Sequence, residues 1–390
     1  MSDRGVLVHE WLAVHGGSEG VFDVLVDSFP EAEVLLLWSD RPAPYPGRTV
    51  RETWLARTAL RRHKALAMPF ATTAWRGRRP GDYDWALVSS HQFAHHVSFA
   101  GQGRGMRKYV YVHSPARYLW APELDSRGDF PGARALAAPL KTLDRRRAQE
   151  ATSLAANSSY VAQRIEHTWG REARVIHPPI DVLGITGTLA RGTDALSDED
   201  KRVLDGLPSG YVLGASRFVT YKRLDLVIET ADVLGLPAVI AGGGPEEDHL
   251  RHVADGARVP VHFVPVPSSA LLHHLYARAS VYVFPPVEDF GMMPVEALAA
   301  GTPVVVGPVG GAREIVDGYD VGAVAEDQTS ASLARAAERA LGARPDACRA
   351  RAAAFDTAVF RTMVHSWVDA GSDRPTGREL SRGLGLGGPA

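Results

Sequence analysis

Two carboxylates, Glu288 and Glu296, are separated by seven residues in the stretch Pro285-Pro286-Val287-Glu288-Asp289-Phe290-Gly291-Met292-Met293-Pro294-Val295-Glu296-Ala297. A short apolar run precedes this stretch and a helical period follows it. The spacing therefore predicts Glu288 in a loop and Glu296 about one turn into a helix. Pro294 suits that first turn, where a missing N–H costs nothing. The main-chain N–H groups of Phe290, Gly291, Met292 and Met293 would then be free to hold an anion, helped by the helix dipole. Two acids beside an anion site suit a sugar nucleotide: one can bind sugar hydroxyls, the other ribose hydroxyls, with the phosphates on the amides between. The same acids also read as ordinary helix-start residues.

A second group is Gly214-Ala215-Ser216-Arg217-Phe218-Val219-Thr220-Tyr221-Lys222-Arg223, again between an apolar run and a helical period. Arg217 offers a planar fork for phosphate oxygens and Lys222 a mobile point charge. Together they could neutralise the charge that develops on a departing diphosphate without a metal. A solvated basic turn is the other reading. Gly242-Gly243-Gly244-Pro245 follows a further apolar run; Gly243 would let the backbone approach a ligand closely, or the glycines simply make a tight turn. In the first half, Gly16-Gly17 follows the first apolar run, and His113 closes Tyr109 to Val112. A histidine there can donate into a ligand site or serve as a buried structural residue.

These residues need a scaffold that delivers them to one edge. Short apolar runs at Gly5–Val8, Val34–Trp38, Trp85–Ser89 and Tyr109–Val112 alternate with helix-length segments. The alternation recurs at Tyr211–Ala215, Ala238–Ala241, Val261–Val264, Val281–Phe284 and Pro303–Val306. Apolar strands joined by helices predict parallel sheets covered on both faces, in an α/β chain of two doubly wound, Rossmann-like domains facing a cleft. Such domains bind ligands beyond the carboxyl ends of their strands. The expected division is 1–180 for an acceptor-binding domain and 181–350 for a nucleotide-sugar domain. A crossing helix over 351–372, with Phe355, Phe360 and Trp367, would pack back on domain one, and 373–390 would be a flexible tail. Residues 181 to about 209 read as an irregular linker, glycine-rich and without a clear period.

Composition narrows the function classes. The chain has 390 residues, 43 Lys+Arg against 45 Asp+Glu, and one cysteine. A net charge of −2 argues against a nucleic-acid binder, and a lone Cys348 excludes an internal disulfide or a Cys-based zinc site. No apolar run reaches membrane-spanning length, and the start, MSDRGVLVHEWL, is too polar for a signal peptide; the expected setting is cytoplasmic. Some motifs lead nowhere. Gly383 to Gly388 matches a dinucleotide fingerprint with neither strand before it nor helix after it. Asp82-Tyr83-Asp84 stands at the wrong end of a strand for a metal-held diphosphate, so no metal is expected. Asp198-Glu199-Asp200 reads as a helix start. The adjacent pairs His95-His96 and His273-His274 would point to different sides of a helix, which assigns them structural or surface roles.

Taken together, the residues resemble retaining glycosyltransferases of family 4, which have the GT-B fold, over almost the whole chain. Glu288 and Glu296 match that family's E-x7-E motif, Arg217 and Lys222 its diphosphate-binding pair, Gly16-Gly17 its glycine loop and His113 its active-site histidine. Tyr111-Val112-His113-Ser114-Pro115-Ala116-Arg117-Tyr118-Leu119-Trp120 further resembles bacterial O-antigen mannosyltransferases, as do Asn157 to Ala162 and His177 to Asp181. The resemblance implies retaining transfer of a hexose from a nucleotide-diphosphate sugar to a hydroxyl acceptor, either a lipid-linked glycan or a small molecule. GDP-mannose leads as donor and a UDP-sugar is the alternative; no cofactor or metal is implied. It places Arg117, Tyr118 and Trp120 towards the acceptor, and it implies that the leaving phosphate accepts the acceptor's proton. The chain departs from the family at Val182-Leu183-Gly184-Ile185 and at the glycine-rich Ala100 to Gly105, read as a flexible loop. An epimerase or phosphorylase on the same fold is the nearest enzymatic rival, and a non-catalytic nucleotide-sugar-binding partner subunit the rival of another class.

Arg51 to Arg79 carries Arg51, Arg57, Arg61, Arg62, Lys64, Arg76, Arg78 and Arg79 against Glu52, interleaved with Trp54, Leu55, Leu60, Leu66, Met68, Phe70 and Trp75. Such a stretch can rest on an anionic membrane, contact a charged soluble acceptor, or simply be a solvated basic face over a core helix.

Overall fold

The computed structural model of the chain describes residues 4–14, 16–76, 83–99, 105–122 and 133–370. These form two compact units. One comprises the described residues of Met1–His177 and of Phe360–Ala390, the other Pro178–Val359.

The first unit runs β1 (Gly5–Leu12), α1 (Gly17–Ser28), β2 (Glu33–Ser39), β3 (Val50–Glu52), α2 (Lys64–Ala74), β4 (Trp85–Ser90), β5 (Arg107–Val112), α3 (Arg117–Trp120), α4 (Ala133–Ala148), β6 (Ser153–Ala156), α5 (Ser159–Trp169) and β7 (Arg174–Val175). Its sheet has the order β3-β2-β1-β4-β5-β6-β7, with every pairing parallel. The strand period of two sorts the apolar side chains onto both faces. Val6, Val8, Leu37, Val88 and Val112 fill the core on one side; Leu7, Leu36, Leu87 and Tyr111 fill the other. Chain order reverses between β1 and β4, which makes their carboxyl ends the expected ligand edge.

The second unit runs α6 (Val182–Ala190), α7 (Asp198–Asp205), β8 (Tyr211–Arg217), α8 (Leu224–Leu234), β9 (Ala238–Gly243), α9 (Glu247–Asp255), β10 (Val261–Pro265), α10 (Ser269–Arg278), β11 (Ala279–Phe284), α11 (Met292–Ala300), β12 (Val304–Val306), α12 (Arg313–Val316), β13 (Gly322–Val324), α13 (Ser330–Ala340) and α14 (Pro345–Ala353). The parallel sheet order is β10-β9-β8-β11-β12-β13, with the reversal between β8 and β11.

Two elements differ from expectation. The segment after Asp181 is helical, not an irregular linker. The Asp181 carboxylate accepts from Gly184 N at 2.9 Å and caps α6, and Ser197 caps α7 in the same way. Val182, Ile185 and Leu204 are buried in the second unit's core, so tertiary burial outweighs the poor helix propensity of Gly184 and Gly187. The expected single crossing helix over 351–372 is two helices. The chain breaks at Phe355, whose ring enters the second unit's core against Phe290, centroids 5.6 Å apart. Its carbonyl accepts from Ile180 N at 3.0 Å. Only α15 (Thr357–Ala370) reaches the first unit, where Phe360, Val364 and Trp367 are buried. There Tyr109 Oη donates to the Val368 carbonyl at 3.0 Å and Trp367 Nε1 to Ser153 Oγ at 2.8 Å.

The expected flexible loop at Ala100 to Gly105 falls outside the described residues apart from Gly105, as do Asp82, Arg78, Arg79 and the tail of 373–390. Among the described residues no helix is long and apolar enough to cross a membrane.

Candidate active site

In the second unit the chemistry gathers at the carboxyl ends of β8 and β11. Arg217 ends β8 and is exposed, its Nη2 donating to Tyr221 Oη at 3.2 Å. A one-turn 3-10 segment, Thr220–Lys222, then turns Lys222 inward. Lys222 is 9% exposed, and its ammonium donates to the Glu288 carboxylate. It also lies 5.7 Å from the centroid of the Phe284 ring and 5.4 Å from that of Tyr221. The two residues that sequence spacing assigned to different parts of a ligand, Lys222 and Glu288, are thus one ion pair. Arg217 has no ion pair among the described residues.

Glu288 is held by main chain, and its support was not singled out from the sequence. Gly311 N donates to the Glu288 carbonyl at 2.8 Å. A Cβ on Gly311 would stand 2.0 Å from the Asp289 carbonyl oxygen, so only glycine lets these loops touch. The run Gly307-Pro308-Val309-Gly310-Gly311 between a strand and a helix was the signal available. After Phe290 and Gly291, α11 begins at Met292 with no side-chain cap. Its first-turn amides, including those of Met292 and Met293, lack intrahelical acceptors and are the kind of donors that can hold an anion.

Glu296, one turn into α11, accepts from Tyr276 Oη at 3.1 Å. Burial raises its carboxyl above the usual range, and the tyrosine's hydrogen bond pulls the other way. Gly243 ends β9, but the glycine requirement falls on its neighbour. Gly242 has φ 138°, and a Cβ there would stand 1.8 Å from the Ser216 carbonyl oxygen.

In the first unit the apolar run of β1 breaks at His9 and Glu10, both buried, and that break in the pattern is the sequence signal for the two residues. Glu10 accepts from the main-chain N–H groups of Gln92 and Ala94, each at 2.8 Å, and faces His91 Nδ1 at 3.2 Å. Burial alone would raise its carboxyl; His91 and these donors hold it well below the usual range. His113 follows β5, and its Nε2 lies 2.8 Å from Ser89 Oγ. Burial, with His91 and His9 nearby, keeps its pKa well below the ordinary histidine value. Gly16 precedes α1, and Gly17 is that helix's first residue. Buried Glu19 folds back so closely that a Cβ on Gly16 would be 2.1 Å from its Oε2. A turn already holding a carboxylate suits hydroxyls better than a second anion.

Trp120, expected beside an acceptor, has its polar atom turned inward: Nε1 donates to Asp144 Oδ2 at 2.8 Å. Tyr118 packs on Phe93, centroids 6.1 Å apart, and Arg117 begins the same short helix and is half-buried. His95 and His96 do not diverge as a helical reading predicts. They sit in a 3-10 turn, Ala94–His96, and both Nε2 atoms reach Asp144 Oδ1, at 3.0 and 2.8 Å. Trp169 Nε1 also donates to Asp144, at 2.8 Å.

Among the described residues, two groups bring ligand-type atoms within 4.8 Å of one another: His9 with Glu10 and His91, and His95 with His96 and Asp144. In both, the carboxylate is already committed to N–H donors, which makes them hydrogen-bonded networks. Asp84 accepts from Arg4 N at 2.8 Å at the amino end of β4.

Residues 199–356 match the family described as glycosyl transferases group 1. The chain is 30% identical over 216 residues to the D-inositol 3-phosphate glycosyltransferase of Mycolicibacterium smegmatis, covering 48% of each chain. It is 29% identical over 206 residues to the alpha-1,3/1,6-mannosyltransferase alg-2 of Neurospora crassa, covering 43% of each. The chain thus spans about half the length of these curated relatives, or less. The structure is similar to Anabaena HepE in complex with UDP and glucose, with TM-score 0.63 and 17% identity over 93% of this chain and 99% of that one. It is also similar to sucrose-phosphate synthase from Thermosynechococcus elongatus, with TM-score 0.67 and 16% identity over 94% and 98%. The architecture is accordingly the α/β GT-B fold of two parallel-sheet, Rossmann-like domains.

Proposed function

We propose that this chain is a retaining, metal-independent glycosyltransferase that moves a hexose, mannose in first place, from a nucleotide-diphosphate sugar to a hydroxyl acceptor. The reading is carried by one observation: the Lys222–Glu288 pair lies at the carboxyl ends of β8 and β11, beside the loop that leads into the uncapped start of α11. Arg217, Lys222 and the amides of Phe290 to Met293 take the diphosphate. Glu288 takes sugar hydroxyls, Glu296 the ribose, and Gly243 gives the nucleotide a close backbone approach. In the first unit, His113 orients a sugar hydroxyl, Gly16 and Gly17 serve donor binding, and Arg117 and Tyr118 serve the acceptor.

In the reaction the acceptor oxygen bonds to the anomeric carbon on the face the phosphate leaves. The carbon–oxygen bond to phosphate breaks with its electron pair staying on the phosphate. The acceptor's proton passes to that phosphate, so no enzymatic nucleophile is needed. Lys222 and Arg217 act where charge grows, which is the largest contribution such donors make.

A mannosyltransferase among the relatives favours mannose, carried as GDP-mannose. UDP and glucose bound to HepE favour a second reading, a UDP-sugar donor with a small-molecule acceptor. Incubating the chain with a panel of GDP- and UDP-sugars and following nucleotide release and product configuration decides between them. An α-linked product from an α-donor, formed in EDTA, upholds the proposal; an inverted product or restoration by manganese overturns retention or metal independence. Binding without any transfer would identify the non-catalytic partner subunit.

The acceptor, on this reading, is met at the cytoplasmic face of an anionic membrane. Trp54, Leu66 and Phe70 are 47%, 60% and 45% exposed, and the Trp54 and Phe70 rings touch, centroids 6.5 Å apart. Arg57 and Arg62 stand near them in sequence with no ion pair among the described residues, while the Lys64 ammonium lies 4.6 Å from the centroid of the Trp11 ring. Exposed apolar anchors with cations close by in the chain are what an anionic lipid surface binds.

A further inference from the structure

We propose that His9 and Ser89 are positioning residues that hold His113 as its Nδ1–H tautomer, so that this ring offers its ligand a hydrogen-bond donor and not a base. The proposal rests on the reading of His113 as a site residue and says what that residue does there.

Ser89 Oγ lies 3.0 Å from His9 Nδ1 and 2.8 Å from His113 Nε2. His9 and Ser89 are fully buried, and His113 is 9% exposed. A serine hydroxyl has one proton to give and two lone pairs to receive with. With neutral rings it can donate to one of the two nitrogens and must accept an N–H from the other. The two tautomers are therefore locked in opposite senses. Burial keeps both rings neutral, with His9 pushed down to about 4 and His113 well below its ordinary value.

The far side of His9 chooses between the two arrangements. His9 Nε2 is buried without a hydrogen-bond partner, and its ring stacks on Phe22, centroids 4.7 Å apart. The neighbouring carboxylate does not call for a proton there, because Glu10 already takes Gln92 N, Ala94 N and the His91 side. A buried donor goes unsatisfied more rarely than a buried acceptor, which favours Nε2 as the bare nitrogen. His9 then carries its proton on Nδ1 and donates it to Ser89. Ser89 donates in turn to His113 Nε2, and the proton of His113 sits on Nδ1, which no described hydrogen bond engages. Such a ring can bind a sugar oxygen, and it leaves the acceptor's proton to another group.

Long-range 1H–15N correlation spectra of the 15N-labelled full chain at neutral pH read the tautomer directly, with His113→Gln identifying the signal. The expected result is a protonated Nδ1 and an unprotonated Nε2 on His113. Ser89→Ala should move both nitrogens towards exchange-averaged positions and weaken sugar-nucleotide binding about fivefold, the order of one neutral hydrogen bond. Ser89→Thr, which restores the hydroxyl, should return both. A wild-type His113 protonated at Nε2 overturns the relay, as does a Ser89→Ala chain with an unchanged tautomer. If Ser89→Ala does not fold, the wild-type spectrum still decides. A chain with the Nδ1–H signature but no transfer on any sugar nucleotide upholds the relay and removes the proposed function.

Discussion

An ammonium paired with a carboxylate binds phosphate only by sharing its charge, and Lys222 stands in that position. With Glu288 as partner it waits in place, buried against Phe284, instead of sampling solvent. Lys222→Ala should therefore lower turnover roughly a hundredfold, the usual cost of about 3 kcal/mol for losing one preorganised donor at developing charge. The melting temperature should move little, because Glu288 is still open enough to be hydrated. Near-normal turnover on the best donor would remove Lys222 from the mechanism. The buried histidines make a separate prediction about acid. His9 and His96 are pushed down to about 4, first by burial, from an ordinary 6.5. Between those values the unfolded chain binds protons that the folded chain refuses, so the histidine contribution to stability falls as pH drops from 6.5 to 4 and levels off below, where the depressed carboxyls of Glu10 and Asp144 carry the loss further. Each histidine accounts for about 3 kcal/mol at most, at about 1.4 kcal/mol for each pH unit. Urea unfolding followed across this range should show the first unit weakening before the second; equal weakening of both would contradict it.

The helix α2 and the 3-10 turn before it, Trp54–Arg57, decide whether the membrane reading stands. Arg61 is not one of the free cations there. Its Nη2 lies 3.3 Å from the Ser39 carbonyl and 3.6 Å from Asp40, so changing it would also remove these contacts. Arg57→Glu with Arg62→Glu is the cleaner test. Vesicles rich in anionic lipid should sediment the wild-type chain at low salt, less so at high salt because the attraction is screened, and should lose the double variant. A wild-type chain that ignores such vesicles, or binds a soluble polyanion equally well, would end the membrane proposal.

For the whole molecule, the ending matters more than its length suggests. Phe355 is buried in the second unit and Phe360, Val364 and Trp367 in the first. A chain ending before Arg351 should leave both cores open and come out insoluble, while one ending after Asp373 should keep the parent's melting temperature. Soluble, active protein from the shorter chain would refute the role given to α15.

Strand positions and the strand-end placement of Arg217, Glu288 and His113 were legible in the sequence. Buried parallel strands must be short apolar runs, and ligand loops must follow them. The helices after Asp181 were not legible, since their glycines argue against helix and only packing on the second core overrides that. Nor was the break at Phe355, which depends on two separate cores competing for one apolar stretch. The site shows the same division. Residue types and order pointed to a sugar nucleotide. That Lys222 and Glu288 form one pair, that Trp120 turns inward to Asp144, and that His9 reaches His113 through Ser89 are contacts between residues far apart in the chain. Local spacing carries no information about them; the fold alone brings those atoms within hydrogen-bonding distance.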